Sequence, residues 1–279
     1  MTIAPLLFVL ALAGMQALQG AAPSVQAAPP AATERVTIPA TPSRQVSIAI
    51  YAPARPRALV VFSHGGGGGP DHYPALVARL NAAGYAVLAP AHVDSAANPD
   101  SARYTLRSAF PERIADLAAT AGYARARWPG LKLVAMGHSY GALFSQMLGG
   151  ALDTIAPARV PGLAAVVSFS SPGIIPGLVA PDTAFAHMDV PTLLITGTLD
   201  VVPGFVTDWH DHLVSQRGAP TGDHFALVLP GADHYLARGE DPERFERAMT
   251  ALLAYLEGYV FDDMQARAAL ARQPGLERR

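Results

Sequence analysis

The sequence predicts one α/β domain built on a mostly parallel central sheet with helices on both faces and no large cap. Two observations carry this. Short apolar runs, the mark of strands buried on both faces, alternate with helical stretches along most of the chain. No internal repeat, and no insertion long enough to make a second domain, interrupts that alternation.

The elements follow in order. Residues 46–51 alternate as a strand, and 58–63 form a continuous apolar strand. A helix over 72–83 sets Leu76, Val77 and Leu80 on one face and stops at Gly84. Residues 85–89 make the next strand, closed by Pro90. A helix is expected over 111–126, with Pro111 at its start and Trp128-Pro129-Gly130 as its terminator. Strand 131–136, helix 139–148 and strands 163–169, 192–196 and 225–229 continue the pattern. Helices near Trp209 and over 242–259 fill the intervals.

The 279 residues are 51% hydrophobic and 15% charged, with a formal net charge of −2 and no cysteine. That apolar share excludes a disordered chain, and the charge balance leaves no footprint for nucleic acid. Without cysteine there is no disulfide, thiolate nucleophile or cysteine-held zinc. Residues 3–18 are apolar apart from Gln16, shorter than the roughly 20 residues that span a bilayer. Val25-Gln26-Ala27 then offers small side chains at the positions signal peptidase reads, so 1–27 is expected to be a secretory signal, with an uncleaved anchor or an ordinary buried helix as the alternative. Residues 28–34 would be a Pro/Ala-rich linker and 35–279 the catalytic domain of an exported, periplasmic or secreted protein, with no membrane span in the mature chain.

Chemistry collects at strand ends. Gly137-His138-Ser139-Tyr140-Gly141 joins a strand to a helix. A nucleophile on such a tight turn needs glycine two positions before and after it, because side chains there would strike neighbouring backbone. The alternative is that Ser139 only caps the helix. A serine hydroxyl needs a base, and His234, in Gly231-Ala232-Asp233-His234-Tyr235 after the last strand, is placed to supply it. His138 should point elsewhere, and His210 and His212 read as a solvated helical face, not a metal pair. Asp200, ending the strand that begins at Thr192, is the orienting acid; Asp233 is its rival but adjoins His234.

The fourth element is His64-Gly65-Gly66-Gly67-Gly68-Gly69 after the 58–63 strand. Its backbone amides can turn toward a developing oxyanion, and the expected donors are Gly66 and Tyr140. A phosphate cradle would need a Lys-Ser/Thr that is missing, and Lys132, the only lysine, lies elsewhere. The order Ser139, Asp200, His234 matches one known arrangement of this triad.

These motifs, with Gly84-Tyr85-Ala86-Val87-Leu88-Ala89-Pro90 and His92, resemble the α/β-hydrolase superfamily across about residues 35–270. Within it they resemble the bacterial dienelactone-hydrolase-like and platelet-activating-factor-acetylhydrolase-like serine esterases. The resemblance implies Ser139 as nucleophile, Asp200 as acid, His234 as base, Gly66 and Tyr140 as oxyanion donors, and Arg113 with Asp116 as a structural pair. Dienelactone hydrolases use a cysteine nucleophile; polyester hydrolases usually carry methionine after the serine and often a disulfide. Tyr140 and the lack of cysteine therefore favour a general esterase.

The expected activity is cleavage of a small-molecule carboxylic ester through an acyl-enzyme on Ser139, with no cofactor and no metal. A peptidase or amidase using the same triad, and a non-catalytic binding member of the fold, are the alternatives. Residues 170–189 are too short for a large cap, so the site should be open. Phe169, Ile174, Ile175 and Trp209 are candidates to line an apolar pocket.

Overall fold

The computed structural model describes residues 32–279. The expected signal segment and residues 28–31 of the expected linker lie outside the described residues. Nine strands form one sheet: β1 (Glu34–Thr41), β2 (Arg44–Tyr51), β3 (Ala58–Ser63), β4 (Tyr85–Ala91), β5 (Leu133–His138), β6 (Leu163–Phe169), β7 (Thr192–Leu199), β8 (His224–Asp233) and β9 (Leu276–Arg278). Their spatial order is β1-β2-β4-β3-β5-β6-β7-β8-β9. β3 to β8 are mutually parallel, while β1, β2 and β9 pair antiparallel at the two edges.

The helices are α1 (Pro74–Ala82), α2 (Leu106–Arg127), α3 (Tyr140–Leu148), α4 (Val214–Gly218), α5 (Pro242–Val260) and α6 (Met264–Ala271). Alternate residues of the central strands feed two cores. Val60, Phe62, Val134 and Met136 pack with α1, α5 and α6 on one face. Leu59, Val61, Leu133 and Ala135 pack with α2 and α3 on the other. Both faces are apolar because both are covered, which is why these strands read as unbroken apolar runs. No described helix is long and apolar enough to cross a membrane.

The strand order places the site. From β3 the chain crosses to β4 on one side, then returns past β3 to β5 on the other. Such a reversal opens a crevice at the carboxyl ends of the two strands that flank it. The His64 loop leaves β3 and Ser139 follows β5, so both lie at that crevice.

Several elements differ from expectation. α2 starts at Leu106, not Pro111. Thr105 and Ser108 form a reciprocal capping box, each side chain meeting the other's backbone amide. Pro111 so near the start forfeits only the one bond its missing N–H would give the Arg107 carbonyl. β5 is shifted two residues toward Ser139. Near Trp209 the chain makes a 3-10 turn (Trp209–Leu213) that runs into the short α4. β1, α6 and β9 were not foreseen; β1 begins at Glu34, and the Thr33 amide already bonds the Ile50 carbonyl.

Candidate active site

Ser139 stands between β5 and α3 with φ 54° and ψ −126°, a conformation costly for a residue with a side chain. The turn is possible only because of its glycines. A Cβ on Gly137 would lie 2.3 Å from the Gly141 carbonyl oxygen, and one on Gly141 would lie 2.1 Å from that of Ser63. The Ser139 hydroxyl does not cap α3. It lies 2.9 Å from His234 Nε2 instead, and His234 Nδ1 lies 2.8 Å from Asp200 Oδ1. The structure thus brings together Ser139, His234 and Asp200, from three loops at the carboxyl edge of the sheet. Asp233, the rival acid, is exposed and accepts the Tyr235 amide.

Asp200 is fully buried. Burial opposes its ionisation, but hydrogen bonds from His212 and His234 outweigh it and hold the carboxyl well below the usual carboxylate range. Thr196 Oγ1 donates to its Oδ2 at 2.8 Å. The carboxylate is therefore a fixed negative charge aimed at the imidazole of His234.

His212 departs from expectation. It is buried, with Nε2 3.0 Å from Asp200 Oδ1 and Nδ1 on the Ser171 carbonyl. Of the His210/His212 pair, it is His210 that faces solvent, stacked on Trp209. Asp200, His212 and His234 present ligand-type atoms within 4.8 Å of one another, and each histidine meets Asp200 Oδ1 at hydrogen-bond distance.

His138 is also buried, as its neighbourhood in sequence suggested it would point away from Ser139. The Gly65 amide donates to Tyr73 Oη (3.0 Å), and Tyr73 Oη lies 3.0 Å from His138 Nδ1. Nε2 of His138 then donates to the His234 carbonyl at 2.7 Å. Burial, reinforced by the neighbouring His234, pushes His138 down to about 3, so the ring stays neutral. This neutral bridge ties the glycine loop to the loop that carries His234.

A buried arginine sets the glycine loop. Arg113 makes two 2.8 Å bonds to Asp94, and its remaining N–H groups reach the carbonyls of His64 (2.7 Å) and Gly65 (3.1 Å). Burial works against the Asp94 charge, yet the Arg113 guanidinium draws that carboxyl down to about 2. The Gly65 carbonyl also accepts from Gly68 N–H (3.1 Å) and His64 Nδ1 (2.8 Å). In a planar trans peptide the N–H points opposite its carbonyl, so the Gly66 amide is turned away from Arg113. Both Gly66 and Tyr140 line the cavity above Ser139, and neither amide has a protein partner among the described residues.

Arg113 and Asp116, expected as a pair, do not meet. Asp116 takes His92 Nδ1 (2.9 Å) and Arg44 (2.6 Å), and its burial raises it to about 6 despite that guanidinium.

The cavity over Ser139 measures about 1000 Å³. Ile174, Ile175 and Leu178 from the 170–191 stretch form one wall, with Leu106 and Phe110 of α2 and Phe205 and Val206 beyond Asp200. Ile174 and Ile175 are there as expected; Phe169 is in the core and Trp209 is outside the lining. Phe205 is 72% exposed, so the mouth has an apolar rim. Among the described residues, the charged groups lining the cavity are Arg107 and Arg238, with no Asp or Glu.

The family described as "Serine aminopeptidase, S33" matches residues 54–178. A comparison with curated protein sequences finds no significant match. Among solved structures, an alpha-beta serine hydrolase homologue from Coxiella burnetii is similar at 18% identity. It covers 80% of this chain and 97% of that one, with a TM-score of 0.59. A thermostable carboxyl esterase from Bacillus coagulans covers 81% and 98% at 15% identity and a TM-score of 0.58. Monoglyceride lipase from Saccharomyces cerevisiae covers 81% and 95% at 12% identity and a TM-score of 0.64. Sheet order, helix placement and these matches agree on one architecture: the chain has the α/β-hydrolase fold.

Proposed function

We propose that the protein is a serine esterase that cleaves carboxylic esters by two-step acyl transfer. The observation that carries this reading is the continuous line of hydrogen-bond contacts from Ser139 through His234 to Asp200, with Ser139 on a strained turn beneath an open apolar cavity. In the first step Ser139 Oγ attacks the ester carbonyl carbon while His234 Nε2 takes its proton. Asp200 holds Nδ1–H toward itself and stabilises the imidazolium. The Gly66 and Tyr140 amides receive the oxyanion. The imidazolium returns its proton to the departing alcohol; water then repeats the sequence on the acyl-enzyme and frees Ser139.

A second reading is favoured by the family description, a serine aminopeptidase over 54–178. An aminopeptidase must hold a free ammonium group, which calls for a carboxylate in the cavity. The charged groups lining this cavity are two arginines. That charge favours a neutral or anionic ester over a peptide with a free amino terminus.

The test is a panel of p-nitrophenyl esters from acetate to palmitate, a choline ester, and an aminoacyl p-nitroanilide. The apolar p-nitrophenyl esters are expected to be turned over. The cationic ester and the anilide should show kcat/KM lower by about tenfold or more, the size of one unfavourable charge contact in a partly solvated site. Preferred cleavage of the aminoacyl anilide would replace the esterase reading with the peptidase one.

A further inference from the structure

His212 holds both of its ring nitrogens against acceptors. Nδ1 faces the Ser171 carbonyl, and Nε2 lies 3.0 Å from the Asp200 carbonyl and 3.0 Å from Asp200 Oδ1. A backbone carbonyl cannot donate, and a neutral imidazole has only one N–H. Two ring nitrogens that both face acceptors are satisfied only by the imidazolium. The ring is buried, so an unmatched lone pair at either end would have no water to turn to. Its turn is also fixed: Leu213, the next residue, packs with Leu194 of β7 and Ala226 of β8.

Asp200 Oδ1 is thereby shared. It receives His234 Nδ1 at 2.8 Å and His212 Nε2 at 3.0 Å, with the two rings nearly parallel and their centroids 6.3 Å apart. From the elements packed against it, the titratable groups that face His212 are Asp200 and His234. Its own turn adds Asp208 and His210, both exposed, and the half-buried Asp211. Burial works against a charge on His212, but Asp200 more than compensates and raises its pKa.

Building on the esterase reading, we propose that His212 is a positioning residue that acts as a buried imidazolium, holding Asp200 in place while competing with His234 for the same carboxylate oxygen. Its charge tempers the pull of Asp200 on the base, so that His234 stays neutral, and able to accept the Ser139 proton, at lower pH than a triad without it. Two like charges 6.3 Å apart at the effective dielectric of a protein site displace a pKa by roughly one to two pH units.

The test is His212→Gln, whose amide can reach one acceptor but carries no charge. The acidic limb of kcat/KM reports protonation of the free base. That limb is expected to move up by about one to two pH units, with kcat on the alkaline plateau within about tenfold of wild type. A purely structural role would lower the rate at every pH and leave the limb in place, which would overturn the proposal. Nitrogen-15 NMR of the histidine rings in the wild-type protein supplies a readout that needs neither the variant nor turnover. Both His212 nitrogens should show imidazolium shifts at pH 7, and a neutral His212 ring would overturn the proposal. Because the NMR readout is independent of catalysis, absence of ester hydrolysis would count against the esterase reading alone.

Discussion

Ser139→Ala is expected to lower kcat for p-nitrophenyl butyrate by about 10⁴- to 10⁶-fold, with KM changed by no more than a few fold. The asymmetry follows from the geometry. Alanine leaves the cavity walls and the Gly66 and Tyr140 amides in place, so the substrate still binds, but the atom 2.9 Å from His234 Nε2 is gone. Asp200→Asn should cost about 10⁴-fold for a different reason. An amide in that place has one acceptor oxygen to meet His234, His212 and Thr196, all of which present donors to the carboxylate. Groups that act as a unit are not additive, so the double variant should be no slower than Ser139→Ala alone. Steady-state kinetics on the three proteins checks this, and multiplicative losses would show that Ser139 and Asp200 serve separate steps.

The second large effect is expected far from the reacting atoms. Arg113→Met should lower stability by about 3–5 kcal/mol, because it leaves Asp94 buried without its cation. At this chain length that is a fall in Tm on the order of 10 °C. It should also lower kcat by about 10²- to 10³-fold, the cost of losing one oxyanion donor. The link is the Gly65–Gly66 peptide: without Arg113 its carbonyl keeps only the Gly68 and His64 donors, while the His64 carbonyl and Asp94 lose the guanidinium that ties the loop to α2, so the Gly66 amide is held less firmly. Arg113→Lys keeps the charge but not the fork, and should recover more stability than activity. Thermal melting and kcat of both variants decide it; a destabilised protein with unchanged kcat would remove Arg113 from the account of the glycine loop.

What could be read from the sequence was what local sterics dictate. Glycine flanks Ser139 because Cβ atoms at 137 and 141 would collide with backbone, and that requirement is visible as a pattern of five residues. Asp200 and His234 were legible because each directly follows the end of an apolar strand. His212 was not. Two histidines two apart on a 3-10 turn face opposite ways, and nothing in their spacing says which one meets Asp200 across the fold. Arg113 and Asp116, three apart on α2, have the spacing of a helical ion pair, yet long-range partners take both. The start of α2 was missed because Pro111 is a strong local signal, whereas the Thr105–Ser108 cap is a pair of weak ones. The edge strands β1 and β9 carry mixed polarity because they leave side chains exposed to solvent, so they lack the apolar run that marked the central strands.

Acyl transfer through Ser139 requires a covalent intermediate on its Oγ. The most direct measurement is reaction of the protein with an alkyl fluorophosphonate, followed by mass spectrometry of the peptides. One adduct is expected, on Ser139, lost in Ser139→Ala and slowed in Asp200→Asn. An intact protein with no adduct, or an adduct on another residue, would contradict it.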